Sequence, residues 1–221
     1  MFESQHFSAL GEFLLERALA NPFVVGHELF WQLRSQLHIK PSFERYSLIL
    51  EQLLMLCGSY RNELFSEVRV NDGLMKIAES IKLIENKDKR LVEVRQKLKN
   101  FKREYGIEEN FCLAVDSRMQ ACQCMDDCKV LNSKKLPLLL KLKNSQPNAP
   151  QIIIIYKTGD DLRQDILTIQ LIKIMDKIWL DDGYDFRMKP YKVVACKDQV
   201  GMIEFVQNSE TTEVNGFLLF L

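Results

Sequence analysis

The spacing of apolar residues changes once along this 221-residue chain, near Gly106, and this change limits the folds that it can adopt. From residue 7 to about residue 105, apolar side chains recur every three or four positions, as at Leu29, Leu33 and Leu37, which is the period of one helix face. After Gly106 they form short runs rich in β-branched and aromatic residues, which are typical of strands. The sequence therefore predicts an α+β chain, with helices in its first half and a sheet in its second half.

Turn-forming residues divide the helical half into segments. Breaks are predicted at Asn21-Pro22, Lys40-Pro41, Gly58 and Asn71-Asp72-Gly73. Helix pairs of this size build α-solenoids, which usually serve as binding or spacing surfaces. The stretch 86–105 is rich in Lys and Arg, and we interpret it as a solvated helix face in preference to a lipid- or nucleic-acid-binding surface.

The second half alternates short apolar runs with turns. One long helix is predicted from Asp160 to about Asp181, and 144–150 is the clearest loop. The helix carries a continuous apolar stripe that would face the sheet if it is buried: Leu162, Ile166, Ile169, Ile172, Met175 and Trp179. The predicted strands are 111–115, 129–133, 137–142, 151–157, 191–196 and 201–206. This order of elements matches the N-terminal lobe of a kinase.

Composition excludes several classes of protein. Thirty basic and thirty acidic residues cancel, so no overall charge favours nucleic acid or an anionic membrane. The first residues do not resemble a signal peptide, and no apolar run reaches the roughly 20 residues of a membrane span, so we expect a cytoplasmic chain. The spacing of Cys122, Cys124 and Cys128 differs from paired CxxC zinc motifs, so we expect reduced thiols and no metal site.

The segment around Lys157 has the residue types of a phosphate-binding site. A lysine at the end of a strand, facing a carboxylate on the next helix, holds nucleotide phosphates in kinases. A solvated turn would carry the same residue types without that chemistry. Asp160 and Asp161 would also suit a helix start, where acids offset unpaired N–H groups and the helix dipole.

These segments together resemble a known family. Residues 152–179, IIIIYKTGDDLRQDILTIQLIKIMDKIW, followed by DFRMKPY and VGMIEFV, resemble the N-terminal lobe of phosphatidylinositol 3-kinases, most closely the class I catalytic subunit. KVLNSKKLPLLL resembles the phosphate-binding loop of that family, and FLLERALANPFVVGHELFWQLRSQLH is similar to its helical accessory domain. Phosphatidylinositol 4-kinases and the large protein kinases of the superfamily share parts of the pattern. The resemblance implies an accessory domain at 1–105 and an N-lobe at 106–221, truncated after the hinge and without the C-lobe.

The resemblance also implies residues around ATP. They are Lys157, Asp165, Ser133, Tyr191, Ile203, Glu204 and Val206. Lys157 would contact the α- and β-phosphates, and Asp165 would face it, with Asp160 as a second candidate. Ser133 would lie near the phosphates, and the remaining four would line the inner pocket and the hinge. Leu139 stands where the family usually has a tryptophan, so a stacking contact of roughly 1 kcal/mol is lost.

The expected function follows from the same resemblance. The full-length form would use ATP and magnesium to phosphorylate the 3-hydroxyl of inositol lipids, with membrane recruitment and a regulatory subunit as partner, and without nucleic acid. The D-R-H-x-x-N and D-F-G motifs that supply the base and the magnesium ligands do not occur in the sequence. We therefore expect no catalytic or metal-binding residues and no turnover by this chain. The alternative is a non-catalytic helical binding module or a pseudokinase-like regulator.

Overall fold

The first half of the protein is helical, as its apolar period predicts. The structure is a computed structural model that describes residues 8–209. The helices are α1 Ala9–Ala20, α2 His27–Ser35, α3 Lys40–Leu56, α4 Tyr60–Lys82 and α5 Lys87–Tyr105, with a π-helical turn at Pro22–Gly26. The predicted breaks at Asn21-Pro22, Lys40-Pro41 and Gly58 are confirmed, because each lies at a boundary between these elements. Asn86 caps α5, and Gly106 ends it in the left-handed conformation.

The predicted break at 71–73 was wrong, because α4 runs through it without interruption. Asn71 is fully buried inside this helix. A Cβ on Gly73 would lie 2.8 Å from Cε2 of Phe101 and 2.9 Å from Cγ of Tyr105. The glycine therefore allows α5 to approach α4 closely, and residues that usually form turns serve helix packing here.

The second half is an antiparallel sheet with one long helix. The strands are β1 Phe111–Leu113, β2 Asp116–Cys124, β3 Lys129–Val130, β4 Leu138–Asn144, β5 Ile152–Thr158, β6 Val193–Lys197 and β7 Val200–Glu204. They are ordered β1-β2-β4-β5-β7-β6, with β3 beside β4. Each of the six predicted segments overlaps a strand, and the α+β prediction is confirmed. The sequence did not predict β2, because its residues include none that are β-branched.

The two faces of β5 have different surroundings. Ile152, Ile154, Tyr156 and Thr158 alternate along the strand and are all buried, on the face that packs against α4. Ile153, Ile155 and Lys157 point to the opposite face and are partly exposed. We call this opposite side the outer face of the sheet. Lys157 therefore lies away from the helical core, at the end of a strand whose inner face is anchored.

The helix α6, Arg163–Asp181, follows β5 and contacts β6. Its predicted apolar stripe is fully buried only near the start, at Leu162 and Ile169, whereas Met175 is 45% exposed. The condition on which the whole stripe would face the sheet, its burial, is therefore met only near the start of α6. Within residues 8–209, no helix combines the length and the apolar character that a bilayer span requires.

Candidate functional site

The ammonium of Lys157 is held at the end of β5 by a short turn. Its Nζ atom lies 3.0 Å from Oδ2 of Asp160. Gly159 adopts φ +82°, which favours glycine, and its N–H donates to the Gln199 carbonyl at 2.7 Å. The Asp160 N–H donates to the same carbonyl at 3.2 Å. The β6–β7 hairpin therefore fixes the turn that carries the partner of the lysine.

The acidic residues of this turn divide into two roles. Asp160 pairs with Lys157, whereas Asp161 accepts the Arg163 N–H at 3.1 Å and forms an ion pair with its guanidinium at 2.7 Å. These hydrogen bonds from Arg163 lower the pKa of Asp161 to about 2. Asp161 thus contacts the first residue of α6, as a helix-start acid would, whereas a part for Asp160 in a phosphate site stays a prediction. Among residues 8–209, the ion pair of Lys157 is formed with the second candidate, Asp160, and not with Asp165 in the first turn of α6.

An apolar row crosses the outer face beside Lys157. Leu139 in β4 pairs with Ile155 in β5, which pairs with Ile203 in β7. Residues opposite each other on antiparallel strands point to the same face, so these three side chains lie in one row, in which Leu139 is buried and Ile155 and Ile203 are partly exposed. Lys157 lies opposite Gly201, where the Val194 carbonyl and the Leu162 side chain leave no room for a Cβ. The arrangement places an apolar strip next to a cation, which suits a ligand with a planar apolar part and an anionic tail.

Ser133 lies in the exposed loop 131–136 between β3 and β4. Its N–H donates to the Leu131 carbonyl at 3.0 Å, and its own carbonyl accepts the Leu136 N–H at 3.0 Å. The loop is therefore a compact turn, with Lys135 at the position before Leu136. Lys135 was not singled out from the sequence, although it belongs to the segment that resembles a phosphate-binding loop.

Two further ammonium groups approach the turn after Lys157. A Cβ on Gly159 would lie 3.5 Å from Nζ of Lys82 and 3.7 Å from Nζ of Lys135. Burial lowers the pKa of Lys82, and the nearby charge of Lys135 lowers it further. Sequence reasoning missed Lys82, because it lies on α4, 76 residues before the Thr158 carbonyl that it contacts. The turn is thus surrounded by basic groups from three separate parts of the chain.

The residues predicted at the inner pocket and hinge lie around β6 and β7. Tyr191 and Val206 are partly buried, just before β6 and just after β7. Glu204 uses its side chain to accept the Lys192 N–H at 3.0 Å. Register places Ile203 on the outer face with Lys157, and Glu204 on the opposite face. Ile203 therefore shares the outer face with Lys157, whereas the side chain of Glu204 does not.

Metal-binding side chains do not cluster in the described part of the chain. Among residues 8–209, no group of three or more His, Cys, Asp or Glu side chains is arranged to hold a metal ion. All six cysteines are free thiols. Burial raises the pKa of Cys112 to about 11 and that of Cys124 to about 12, so both remain protonated at neutral pH.

Comparison with known families identifies the class of protein. Residues 1–66 match the accessory (PIK) domain of the phosphoinositide 3-kinase family. Residues 151–214 match phosphatidylinositol 3- and 4-kinases. The second match includes β5, Lys157 and the acidic turn. The chain belongs to the phosphatidylinositol 3- and 4-kinase family, and the resemblance seen in its sequence is confirmed.

Individual relatives agree with this assignment along nearly the whole chain. Phosphatidylinositol 3-kinase 2 of Dictyostelium discoideum is 39% identical over 211 residues, which are 95% of this chain and 11% of the relative. Phosphatidylinositol 3-kinase 1 of the same organism is 39% identical over 214 residues, 96% of this chain and 13% of that protein. Phosphatidylinositol 4-phosphate 3-kinase C2 domain-containing subunit alpha of Pongo abelii is 34% identical over 209 residues, which are 92% of this chain and 12% of that protein. The chain thus corresponds to a small part of each of these relatives.

Proposed function

We propose that this chain is part of a phosphatidylinositol 3-kinase and that it binds ATP on the outer face of the sheet. It comprises the accessory helical domain, residues 1–105, and the N-terminal kinase lobe, residues 106–221. The observation that carries this proposal is the fixed ammonium of Lys157 beside the apolar row, within the segment that matches the kinase family. In the full-length form, the γ-phosphate of ATP would pass to the 3-hydroxyl of an inositol lipid at a membrane surface. The helical half would belong to a solenoid that contacts a regulatory subunit.

The residues present fit the two chemical parts of ATP. Ile155 and Ile203 are partly exposed and offer an apolar surface to the base, whereas Leu139 is buried beside them and brings no aromatic ring to stack on the base. Lys157 offers an ammonium on a flexible stem, which can exchange the Asp160 carboxylate for phosphate oxygens and spread their negative charge. Lys135 and Ser133 belong to the adjacent loop and would lie near the same phosphates.

Phosphoryl transfer needs groups that this chain does not supply. Magnesium, when bound, would neutralise negative charge on the phosphates of ATP during transfer. The D-R-H-x-x-N and D-F-G motifs are absent from the sequence, and the described residues form no cluster suited to a metal ion. The residues at hand therefore fit ATP but not magnesium, and we expect binding without lipid phosphorylation by this chain.

Titration of the purified 221-residue chain with ATP tests the proposal. Calorimetry should detect saturable binding, and Lys157→Met should weaken it by about tenfold, the effect of losing one hydrogen bond from a charged group. Lys177→Met is the matched control, because Lys177 is an exposed lysine on α6 outside the site, and it should leave the affinity unchanged. Wild-type chain that is folded but does not bind ATP, or an equal loss in the control, would contradict the assignment.

A second function, a non-catalytic binding module or regulator, is favoured by apolar side chains exposed on the helical half. Phe43 of α3 is 48% exposed, Met55 63% and Phe65 of α4 46%. Met55 and Phe65 line the same groove, and exposed apolar groups that lie together mark interaction surfaces. The ATP titration separates the two functions, because a module without a nucleotide role would bind no ATP, and Lys157→Met would then change nothing.

A further inference from the structure

One helix of the first half holds β5 on both sides of Lys157. The hydroxyl of Tyr156 donates to the carbonyl oxygen and to Oδ1 of Asn71, each at 3.0 Å, and both residues are fully buried. On the other side, Nζ of Lys82 donates to the Thr158 carbonyl at 2.7 Å. Asn71 and Lys82 both belong to α4. The residues immediately before and after Lys157 are thus tied to the same helix.

The contacts made by Asn71 and Lys82 hold the end of β5 against the same face of α4. Asn71 and Lys82 are separated by 11 residues, about three helical turns, so they lie on one face of the helix. A hydrogen bond from an ammonium to a carbonyl is stronger than one between neutral groups. Lys82 keeps this bond although burial and Lys135 both lower its pKa. The β5 end therefore cannot shift relative to α4 without loss of a buried or charged hydrogen bond.

The N-terminal half of α4 is hydrogen-bonded to α2. His27 Nε2 lies 3.0 Å from Oε2 of Glu67, and Trp31 Nε1 donates to the same oxygen at 2.9 Å. Glu67 is fully buried and lies one turn before Asn71. The match to the accessory domain ends at residue 66, inside α4. A single helix of 23 residues, about 35 Å long, thus links the accessory domain to the strand of Lys157.

We infer that Lys82 is a positioning residue for the nucleotide site. By holding the Thr158 carbonyl, it fixes the turn between Lys157 and Asp160, and so the direction in which the Lys157 ammonium points. The inference rests on the proposed function, because it concerns the same ATP site. It adds that the accessory domain, through α4, sets the affinity of that site for ATP.

The test compares Lys82→Met with Lys76→Met in the full 221-residue chain. Lys76 is also on α4, but its ammonium lies over the Tyr105 ring, 5.7 Å from the centroid, and not at β5. In ligand-free protein, Lys82→Met should speed hydrogen exchange of the amides of 157–160, and ATP affinity should fall about threefold to tenfold. Lys82→Arg keeps a charged donor and should restore both measurements to within about twofold of wild type. Lys76→Met should leave both unchanged.

The outcomes separate the inference from the proposed function. If wild-type chain binds ATP and Lys82→Met changes neither exchange at 157–160 nor affinity, the inference is refuted and the proposed function stands. If Lys82→Met and Lys76→Met weaken binding equally, the effect is a general loss of stability and the inference is also refuted. Failure of folded wild-type chain to bind ATP would refute the proposed function and, with it, the role of Lys82 in nucleotide affinity.

Discussion

Replacing Tyr156 by Phe isolates the buried hydrogen bonds between β5 and α4. The Tyr156 hydroxyl donates to two oxygen atoms of Asn71, and neither residue is accessible to water. Nδ2 of Asn71 already has no hydrogen-bond partner in the described part of the chain. Phe keeps the aromatic ring and removes only the hydroxyl, so packing is preserved while the remaining polar contact of the Asn71 side chain is lost.

The expected cost follows from these contacts. A typical hydrogen bond contributes about 1 kcal/mol net, and a buried polar atom left without a partner costs about 1–3 kcal/mol. We therefore expect Tyr156→Phe to lower the free energy of unfolding by about 2 kcal/mol. For a chain of this size, that corresponds to a fall in Tm of about 4–8 °C. The buried area of the ring is unchanged, so the dependence on urea concentration should keep its slope.

Urea denaturation followed by circular dichroism measures the effect in a double-mutant cycle. Wild type, Tyr156→Phe, Asn71→Ala and the double variant should give a coupling energy between about 0.5 and 3 kcal/mol. Tyr184→Phe, at an exposed tyrosine, is the matched control and should change stability by less than about 0.5 kcal/mol. The reasoning is refuted if Tyr156→Phe costs no more than the control, or if the two substitutions are additive within about 0.3 kcal/mol.

Two further predictions concern packing and pH. Gly73→Ala should lower the free energy of unfolding by about 1 kcal/mol, measured by urea denaturation. The added methyl group would crowd Phe101 and Tyr105, at a cost of about 1–3 kcal/mol, which exceeds the gain of about 1 kcal/mol in helix propensity. A more stable variant would show that α4 and α5 have room for a methyl group. Arg163 holds the pKa of Asp161 near 2 in the folded state, below its ordinary value. This pair therefore stabilises the fold above about pH 4, and its contribution to stability is lost as the pH falls towards 2. NMR titration should show this low pKa and its return towards about 4 in Arg163→Gln, and an unchanged pKa in that variant would exclude the pair as its cause.

The accuracy of the sequence predictions depends on how local the signal is. Apolar periodicity located the helices, and β-branched runs such as 152–155 located strands, because both patterns reflect the geometry of one element and its buried face. β2 was missed because it has no β-branched residue and is fixed by pairing with its neighbours. The break at 71–73 was wrong because Gly73 is required by the approach of α5, a contact between two elements.

In the candidate site as well, the sequence predicted residues of one short motif and missed contacts between distant elements. The sequence singled out Lys157 and both of its acidic candidates, because they lie within one short motif at the junction of a strand and a helix. The assignment of Lys157, Ser133 and the hinge residues to ATP stays a prediction for the titration described above. The sequence ranked Asp165 before Asp160, whereas the structure forms the ion pair with Asp160. Lys82 could not be found by any spacing rule, because it contacts a carbonyl 76 residues away.

By itself, the sequence determined the two-part α+β architecture, the strand–turn–helix unit that carries Lys157, and membership of the phosphatidylinositol 3- and 4-kinase family. These properties depend on residue patterns within single elements or short motifs. Only the tertiary structure decided which carboxylate pairs with Lys157, which face of β5 is buried and which is partly exposed, and that α4 holds β5 through Asn71 and Lys82. The physical reason is that such contacts depend on distances and directions between elements, which are set by the packing of the whole core and not by the residues adjacent in the chain.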